Sequence, residues 1–217
     1  NSQVRIIEKG YPRDDYLVNR DGKSVEEIRK MVGIPESDHR KVILYAPTWR
    51  DSDHKTGVGF VLDLPVDFDR LQRELGEEFI ILFRAHYFIG NTFDFSKYKG
   101  FLYDVSRMDD INYLYVVSDM LITDYSSVFY DYANLRRPII FYMYDRQVFS
   151  GSVRDFYLTA EELPGPVVET EEALVAELKR LLPGFEPDGK YEDFNRKYNG
   201  LHDGHASESV VREVFGR

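Results

Sequence analysis

Short apolar runs typical of buried strands alternate along this chain with amphipathic segments of helical length. This alternation predicts an α/β fold: a Rossmann-like, mainly parallel sheet with helices on both faces. The predicted strands are Lys41–Tyr45, Phe79–Arg84, Phe101–Val105, Met120–Thr123 and Pro138–Tyr142, with a weaker one at Pro166–Glu169. The predicted helices are Ser24–Val32, Asp67–Leu75, Asp109–Val117, Ser127–Leu135, Thr170–Leu182 and Ser207–Phe215.

Three predicted helices begin with a residue that commonly caps a helix, namely Ser24, Thr170 and Ser207. Glu27 lies three residues after Ser24 and completes a capping box there. The Gly- and Pro-containing stretch Gly184–Gly189 is typical of a linker. We therefore predict a Rossmann-like domain over residues 1–183, followed by a linker and helical tail over residues 184–217 that packs on or near it.

Composition excludes several classes of function. The chain has 217 residues, enough to bury a sizeable core, and its lack of cysteine excludes disulfides and thiolate metal sites. Its 28 basic and 38 acidic residues give a net charge of −10, which argues against a nucleic-acid partner. No apolar run approaches the length of a membrane span, and no secretory signal is visible. Because the first residue is Asn1 rather than Met, we expect a piece of a longer protein.

The stretch Met120–Asn134 predicts a buried strand that enters a helix through a hydroxyl-rich turn. The start of a helix has backbone N–H groups without helical partners and the positive end of the peptide dipole, so it suits a phosphate. Thr123, Ser126 and Ser127 would add hydroxyls to that site. An ordinary N-cap explains the same residues structurally, but polar residues at neighbouring strand ends favour the phosphate site.

Polar or cationic residues follow each of the first five predicted strands, and in a parallel sheet these strand ends meet at one edge, where ligands bind. The candidates that this rule brings together are Thr48, Arg50, Arg84, His86, Ser106, Arg107, Asp124, Ser126, Ser127, Asp145, Arg146 and, after the loop containing Gly151, Arg154. Arg84 and Arg154 could neutralise phosphate charge, and His86 could donate a hydrogen bond or move a proton near neutral pH. Arg50 or Thr48 could lie near the donor or acceptor.

Each of these candidates also has a structural explanation. Trp49 could cover the sheet edge beside an ion pair of Arg50 with Asp51, Arg84 could form an internal salt bridge, and His86 could be an ordinary loop residue. An exposed pair of Arg154 with Asp155 would contribute little to stability.

The turn His202–Ser207 is a second helix start that could face a nucleotide or phosphate, with Gly204, His205 and Ser207 as its candidates. A metal site there lacks a convincing further ligand, so we assign no metal and no certain cofactor. Asp14–Asp15 and Asp109–Asp110 are read as helix-start or loop features rather than a magnesium site. The chain has neither a dinucleotide fingerprint nor a Walker lysine motif.

Six blocks of the sequence resemble, in the same order, those of the CDP-glycerol glycerophosphotransferases, the teichoic acid primases and polymerases with relatives that build capsule. The blocks are GYPRDDYL at 10–17, YAPTWRD at 45–51, RAH at 84–86, LITDYSSV at 121–128, RPIIFY at 137–142 and DGHAS at 203–207. The resemblance spans essentially the whole chain, and the joint occurrence of the second and fourth blocks is specific.

The resemblance implies the C-terminal, donor-binding half of a GT-B architecture, in which two Rossmann-like domains face a cleft. The family reaction moves glycerol phosphate from CDP-glycerol, or a related CDP-polyol, to a hydroxyl of a polymer or lipid-linked acceptor and releases CMP. It takes place at the cytoplasmic face of the bacterial membrane, where such an enzyme is peripheral. The N-terminal half is absent, so this chain alone should be soluble and bind the donor without turnover.

The resemblance also assigns roles by position. Ser126 and Ser127 would hold the donor pyrophosphate, with Arg154 over the phosphates and Ser207 and Gly204 in a turn near the donor. His86 matches an active-site histidine of the family. Tyr87 stands where Pro is common and Asp155 where Gly is common, so these loops could differ from those of the family. Two alternatives stay open: a GT-B glycosyltransferase that uses a nucleotide sugar, and a non-catalytic nucleotide-binding module.

Overall fold

The computed structural model describes residues 6–20, 22–48, 66–85, 93–146, 158–181 and 183–216, and the backbone alone of residues 54–55 and 59–60. Six strands form one sheet in which every neighbouring pair is parallel. The strands are β1 Lys41–Tyr45, β2 Phe79–Phe83, β3 Leu102–Asp104, β4 Met120–Thr123, β5 Ile139–Tyr142 and β6 Val167–Val168. A separate antiparallel pair joins His54–Lys55 to Gly59–Phe60. The predicted parallel α/β fold is confirmed.

The strand order across the sheet is β3-β2-β1-β4-β5-β6, the order of the Rossmann fold. From β1 the chain builds outward through β2 and β3, and it then returns to the other side of β1 to build β4, β5 and β6. The reversal makes the gap between β1 and β4 the topological switch point. Ligands of open parallel sheets bind in the crevice outside the carboxyl ends of the strands at such a point.

The helices are α1 Asp15–Asn19, α2 Val25–Met31, α3 Phe68–Leu75, α4 Ile111–Val117, α5 Val128–Ala133, α6 Glu171–Leu181, α7 Gly189–Tyr198 and α8 Ala206–Phe215, with short 3-10 helices at Pro12–Asp14 and Phe95–Tyr98. Successive strand residues point to opposite faces, so the sheet divides the core in two. Alternate strand residues pack with α1, α2, α4, α5 and α7 on one face, and with α3 and α6 on the other.

Two of the three predicted helix caps are present. Ser24 forms the full capping box with Glu27, and the Thr170 hydroxyl accepts a hydrogen bond from the Ala173 amide at 3.2 Å. The prediction for Ser207 is wrong: α8 begins one residue earlier, and Ser207 lies inside its first turn.

The sequence reading missed α1 and α7. Gly189, assigned to the linker, is the first residue of α7, and Asp188 caps that helix by accepting from the Tyr191 amide at 2.8 Å. The buried Tyr191 also donates its hydroxyl proton to the Arg137 carbonyl oxygen at 2.8 Å. Residues of the tail therefore pack directly on the sheet domain, while a domain boundary at 183/184 stays a prediction.

Removing the cap of α3 should destabilise the protein measurably. Asp67 accepts hydrogen bonds from the amides of Asp69 at 2.9 Å and Arg70 at 3.1 Å. We expect Asp67→Ala to lower the free energy of unfolding by about 1 kcal/mol, because those amides lose their acceptor. Chemical denaturation measures this. Asp193→Ala is the matched control, since its exposed ion pair with Arg196 should change stability by less than about 0.5 kcal/mol. Equal losses in the two variants would contradict the role of the cap.

Candidate functional site

The candidate site lies at the switch point, where the ends of β1 and β4 are neighbours in the sheet. Tyr45 of β1 is in register with Ile122 of β4, so the loop after Tyr45 and the turn after Thr123 leave the sheet side by side. The Ala46 amide continues this pairing by donating to the Ile122 carbonyl at 2.9 Å. The hydroxyl-rich turn therefore emerges at the crevice where ligands bind in folds of this strand order.

Two candidate side chains, Thr123 and Asp124, are buried and bind the backbone of the neighbouring loop. The Thr123 hydroxyl donates to the Ala46 carbonyl at 2.8 Å. Asp124 Oδ1 accepts from the amide of Thr48 at 2.8 Å and from that of Tyr125 at 2.6 Å. The sequence suggested Thr123 as a phosphate ligand, whereas in this structure its hydroxyl is directed to a carbonyl inside the fold.

The two serines of the turn are more accessible. Ser126 is half-buried, and its hydroxyl oxygen accepts a hydrogen bond from the Val128 amide at 3.5 Å. Ser127 is exposed and immediately precedes α5; within the described part of the chain its side chain caps no amide of that helix. Ser126 and Ser127 are therefore the hydroxyls of this turn that a bound anion could reach.

Arg84 lies at the same edge, at the end of β2, but the loop after β3 already engages it. One terminal guanidinium nitrogen donates to the Met108 carbonyl at 2.7 Å and to the Val105 carbonyl at 3.3 Å. Burial lowers the pKa of Arg84, although a guanidinium stays charged at neutral pH. Arg84 thus brings a positive charge to the edge while it anchors the loop after β3.

The chain just before His86 is held firmly. The Arg84 amide donates to the Tyr45 carbonyl at 2.9 Å, and the Ala85 amide donates to the Ser106 hydroxyl at 3.0 Å. His86 itself lies outside the described residues, as do the candidates Arg50 and Arg154. Their assignment to the site stays a prediction that rests on their places in the sequence.

Further along the edge, the turn after β4 is tied to the turn after β5. The Tyr125 hydroxyl donates to Asp145 Oδ1 at 3.2 Å. The Thr48 amide donates to Asp124 on the other side. These two bonds attach the turn of residues 125–127, the serine turn, to the loops on both sides of it.

The second helix start, at α8, is occupied by a side chain of the chain itself. The two carboxylate oxygens of Asp15 accept hydrogen bonds from the backbone amides of Ala206 at 2.9 Å and Ser207 at 2.8 Å. Burial alone would raise the pKa of Asp15, but the hydrogen bonds from Ser207 and Ala206 outweigh it and hold that pKa below its usual value. Asp15 therefore binds the amides at which the sequence led us to expect a phosphate, and a contact of Ser207 with the donor stays a prediction.

The other residues of this turn also have structural partners. The Gly204 carbonyl accepts from the Asn19 amide group at 2.7 Å. Gly204 has φ +86°, and a Cβ there would lie 2.2 Å from Asn19 Oδ1, so the turn requires glycine. The His205 side chain is exposed, with Nδ1 3.9 Å from a Glu208 carboxylate oxygen. These contacts explain the DGHAS block as a joint between the two ends of the chain.

Sequence reasoning missed a buried acid–imidazole pair of Asp14 and His202. Asp14 is 1% exposed, and its Oδ2 lies 3.0 Å from Nδ1 of His202, which in turn is 3.2 Å from Asn134 Oδ1. Burial and then the charge of Asp131 raise the pKa of Asp14 to about 7. Burial lowers the pKa of His202. The two adjacent aspartates of the GYPRDDYL block pointed to this region in the sequence. Nothing in the sequence showed which of the two is buried.

Two negative observations apply to the described residues only. None of the helices there is long and apolar enough to cross a membrane. The same part of the chain holds no cluster of three or more histidines and carboxylates with the arrangement of a metal site.

The strand order and the polar turns at the switch point define a doubly wound α/β domain of the ligand-binding kind. More narrowly, the chain belongs to the CDP-glycerol:poly(glycerophosphate) glycerophosphotransferase family, whose sequence model matches residues 1–216. The family resemblance inferred from the motifs is therefore confirmed.

Characterised relatives agree with this assignment. The chain is 42% identical over 213 residues, 97% of its length, to a teichoic acid poly(glycerol phosphate) polymerase of Bacillus subtilis, of which it covers 28%. It is 37% identical, over 99% of its length, to a teichoic acid glycerol-phosphate transferase of Staphylococcus aureus, of which it covers 55%. This chain thus spans only part of these proteins.

Solved structures of the wall teichoic acid polymerase TagF share the fold. One superposes with a TM-score of 0.85 at 40% identity, covering 95% of this chain and 51% of that one. Another, of a histidine variant of TagF soaked with CDPG, gives a TM-score of 0.84 at 40% identity and covers 50% of that chain.

Proposed function

We propose that this chain is the donor-binding domain of a glycerophosphotransferase. It binds CDP-glycerol, and the full-length protein transfers glycerol phosphate to a hydroxyl of a teichoic-acid or capsule-type polymer and releases CMP. The observation that carries the proposal is the family match over residues 1–216. The likeness to the CDPG-soaked TagF structure over 95% of this chain supports the choice of donor.

In this proposal the donor pyrophosphate lies at the switch point, against the turn before α5. The accessible hydroxyls of Ser126 and Ser127 donate to its oxygens, and the N-terminal end of α5 and Arg84 supply positive charge. Arg154 adds a second cation from the loop after β5. Charge neutralisation and alignment are the main requirements of phosphoryl transfer, so this set of groups fits the reaction.

The bond changes follow from the products. The acceptor hydroxyl oxygen attacks the phosphorus that carries glycerol, a new O–P bond forms, and the bond from that phosphorus to the bridging oxygen breaks. CMP leaves with the bridging oxygen and its electron pair. The acceptor proton passes to a general base, either His86 or a histidine outside this chain. We place the acceptor, a polymer or lipid-linked chain, in the cleft with the remaining half of the enzyme, at the cytoplasmic face of the membrane.

A ribitol donor is the second candidate, because family members that act on ribitol phosphate are also similar to this chain. A teichoic acid poly(ribitol-phosphate) polymerase of Bacillus spizizenii is 36% identical over 96% of this chain. The glycerol relatives from B. subtilis and S. aureus are 42% and 37% identical. A glycerol relative from B. spizizenii is 36% identical, the same as the ribitol polymerase, so the choice of glycerol rests on the likeness to the CDPG-soaked TagF structure.

Titrating the full-length protein with CDP-glycerol, CDP-ribitol and a UDP-sugar tests the proposal. We expect CDP-glycerol to bind at least about tenfold more tightly than the UDP-sugar, a difference of about 1.4 kcal/mol. A CMP-release assay with a polymer acceptor then tests transfer. Preference for the UDP-sugar would indicate a glycosyltransferase and overturn the proposal. Donor binding without CMP release from the full-length protein would instead indicate a non-catalytic module.

A further inference from the structure

The last two residues before the serine turn have little contact with solvent, yet they are polar. Thr123 is 0% and Asp124 is 2% exposed. A buried carboxylate is costly unless its oxygens accept strong hydrogen bonds. Asp124 Oδ1 accepts two backbone amides, at 2.8 Å from Thr48 and 2.6 Å from Tyr125. An apolar residue at position 124 would therefore leave the amides of Thr48 and Tyr125 without this acceptor.

Both side chains act across the switch point. Thr123 donates to the Ala46 carbonyl and Asp124 accepts the Thr48 amide, so two bonds attach the end of β4 to the loop after β1. The backbone hydrogen bonds between neighbouring parallel strands end where the strands end. Backbone N–H and C=O groups in the loops beyond that point need other partners. Thr123 and Asp124 supply these partners at the point where the two loops would otherwise separate.

We propose that Thr123 and Asp124 are positioning residues for the donor: they hold the turn that carries Ser126 and Ser127 at a fixed distance from the loop after β1. This proposal rests on the proposed function of the site. The two side chains act through Ala46, Thr48 and Tyr125 and do not touch the donor.

The charge of Asp124 supports an indirect role. A carboxylate that faced a pyrophosphate would repel it, whereas here at least one oxygen is turned to backbone amides. The amide of Tyr125 donates to Asp124, and its hydroxyl donates to Asp145. Because Tyr125 directly precedes Ser126, its fixed position restricts the positions of the two serines. A turn that is already ordered in the free protein loses less conformational entropy when the donor binds, and this increases affinity.

Paired variants of the full-length protein test the proposal. Asp124→Ala and Thr123→Val remove the bonds, while Asp124→Asn keeps an acceptor oxygen and Thr123→Ser keeps the hydroxyl. We expect Asp124→Ala and Thr123→Val to raise the Kd for CDP-glycerol about tenfold or more, and each conservative variant to recover most of that loss, to within about threefold of the wild type. The exposed substitution Asp193→Asn is the control for affinity.

Hydrogen exchange without any donor gives a second measurement. The Thr48 amide should lose its protection in Asp124→Ala and keep most of it in Asp124→Asn, with melting temperatures confirming that both variants fold. Because this measurement needs no ligand, it separates failure of the positioning role from failure of the proposed function. If Asp124→Asn lost as much affinity as Asp124→Ala while its Thr48 amide stayed protected, Asp124 would act by its charge, and the proposal would be overturned. Unchanged affinity in Asp124→Ala and Thr123→Val would overturn it too.

Discussion

Replacing His86 with alanine in the full-length protein should lower kcat by a factor of about 10² to 10⁴, the usual contribution of a positioned general acid or base. The expectation rests on the place of His86 directly after Ala85, whose amide is held by Ser106 at 3.0 Å at the carboxyl edge of the sheet. That edge also carries the serine turn at the neighbouring switch point. The effect should fall on turnover more than on donor affinity, because proton transfer contributes to the transition state rather than to binding.

His39 provides a matched control for His86. It is exposed and lies just before β1, at the opposite edge of the sheet. His39→Ala should leave CMP release within about twofold of the wild type, since surface changes away from a site are usually close to neutral. Circular dichroism and melting temperature should show that both variants fold. Near-normal turnover of His86→Ala would exclude its catalytic role and leave the base to a residue outside this chain.

The sheet could be predicted from the sequence because its strands are continuous apolar runs. Phe79–Phe83 is wholly buried, and a parallel strand covered on both faces must read in this way. The location of the serine turn followed from the same reading, since it requires only that parallel strands end at one edge. The strand order, which makes that edge a switch point, depends on contacts between distant segments and came from the structure.

The end of the chain was harder to read. Asp15 and Ser207 lie 192 positions apart, and neither residue indicates the hydrogen bond that joins them. A serine before an apolar helix is the usual sign of a cap, but here a distant carboxylate binds the amides instead. For α7, the stretch Gly184–Gly189 suggested a linker although it contains Asp188, the cap of that helix. Local sequence cannot decide between a loop residue and a cap when the apolar face that follows is narrow.

The buried acid–imidazole pair should make stability depend on pH through Asp14. The pKa of Asp14 rises from 3.8 to about 7 on folding, chiefly because the carboxyl is buried and next because Asp131 is negative. Between about pH 4 and 7 the folded protein therefore binds a proton that the unfolded chain has released. Its contribution to stability is complete below about pH 4 and is lost as the pH rises to about 7, at up to about 1.4 kcal/mol per pH unit.

Asp14→Asn isolates this contribution because asparagine has the same shape and no charge. We expect the two proteins to be similarly stable near pH 4 and the variant to be more stable at pH 8 by about 2 to 4 kcal/mol, with the contact to His202 and the nearby Arg13 reducing the full value. His202 works in the opposite direction, since burial lowers its pKa, so the difference between variant and wild type is the quantity to compare.

Urea denaturation from pH 4 to 8 measures that difference, with Asp109→Asn, a substitution of an exposed acid, as the control. A gap that widens with pH for Asp14→Asn alone would establish that the Asp14 carboxyl is kept protonated by its surroundings. A gap that stays constant would mean that folding leaves the pKa of Asp14 unchanged, which would contradict the prediction. A variant less stable than the wild type at pH 8 would mean that Asp14 is ionised and held by protonated His202. The pair would then stabilise, as an ion pair, the joint between the two ends of the chain.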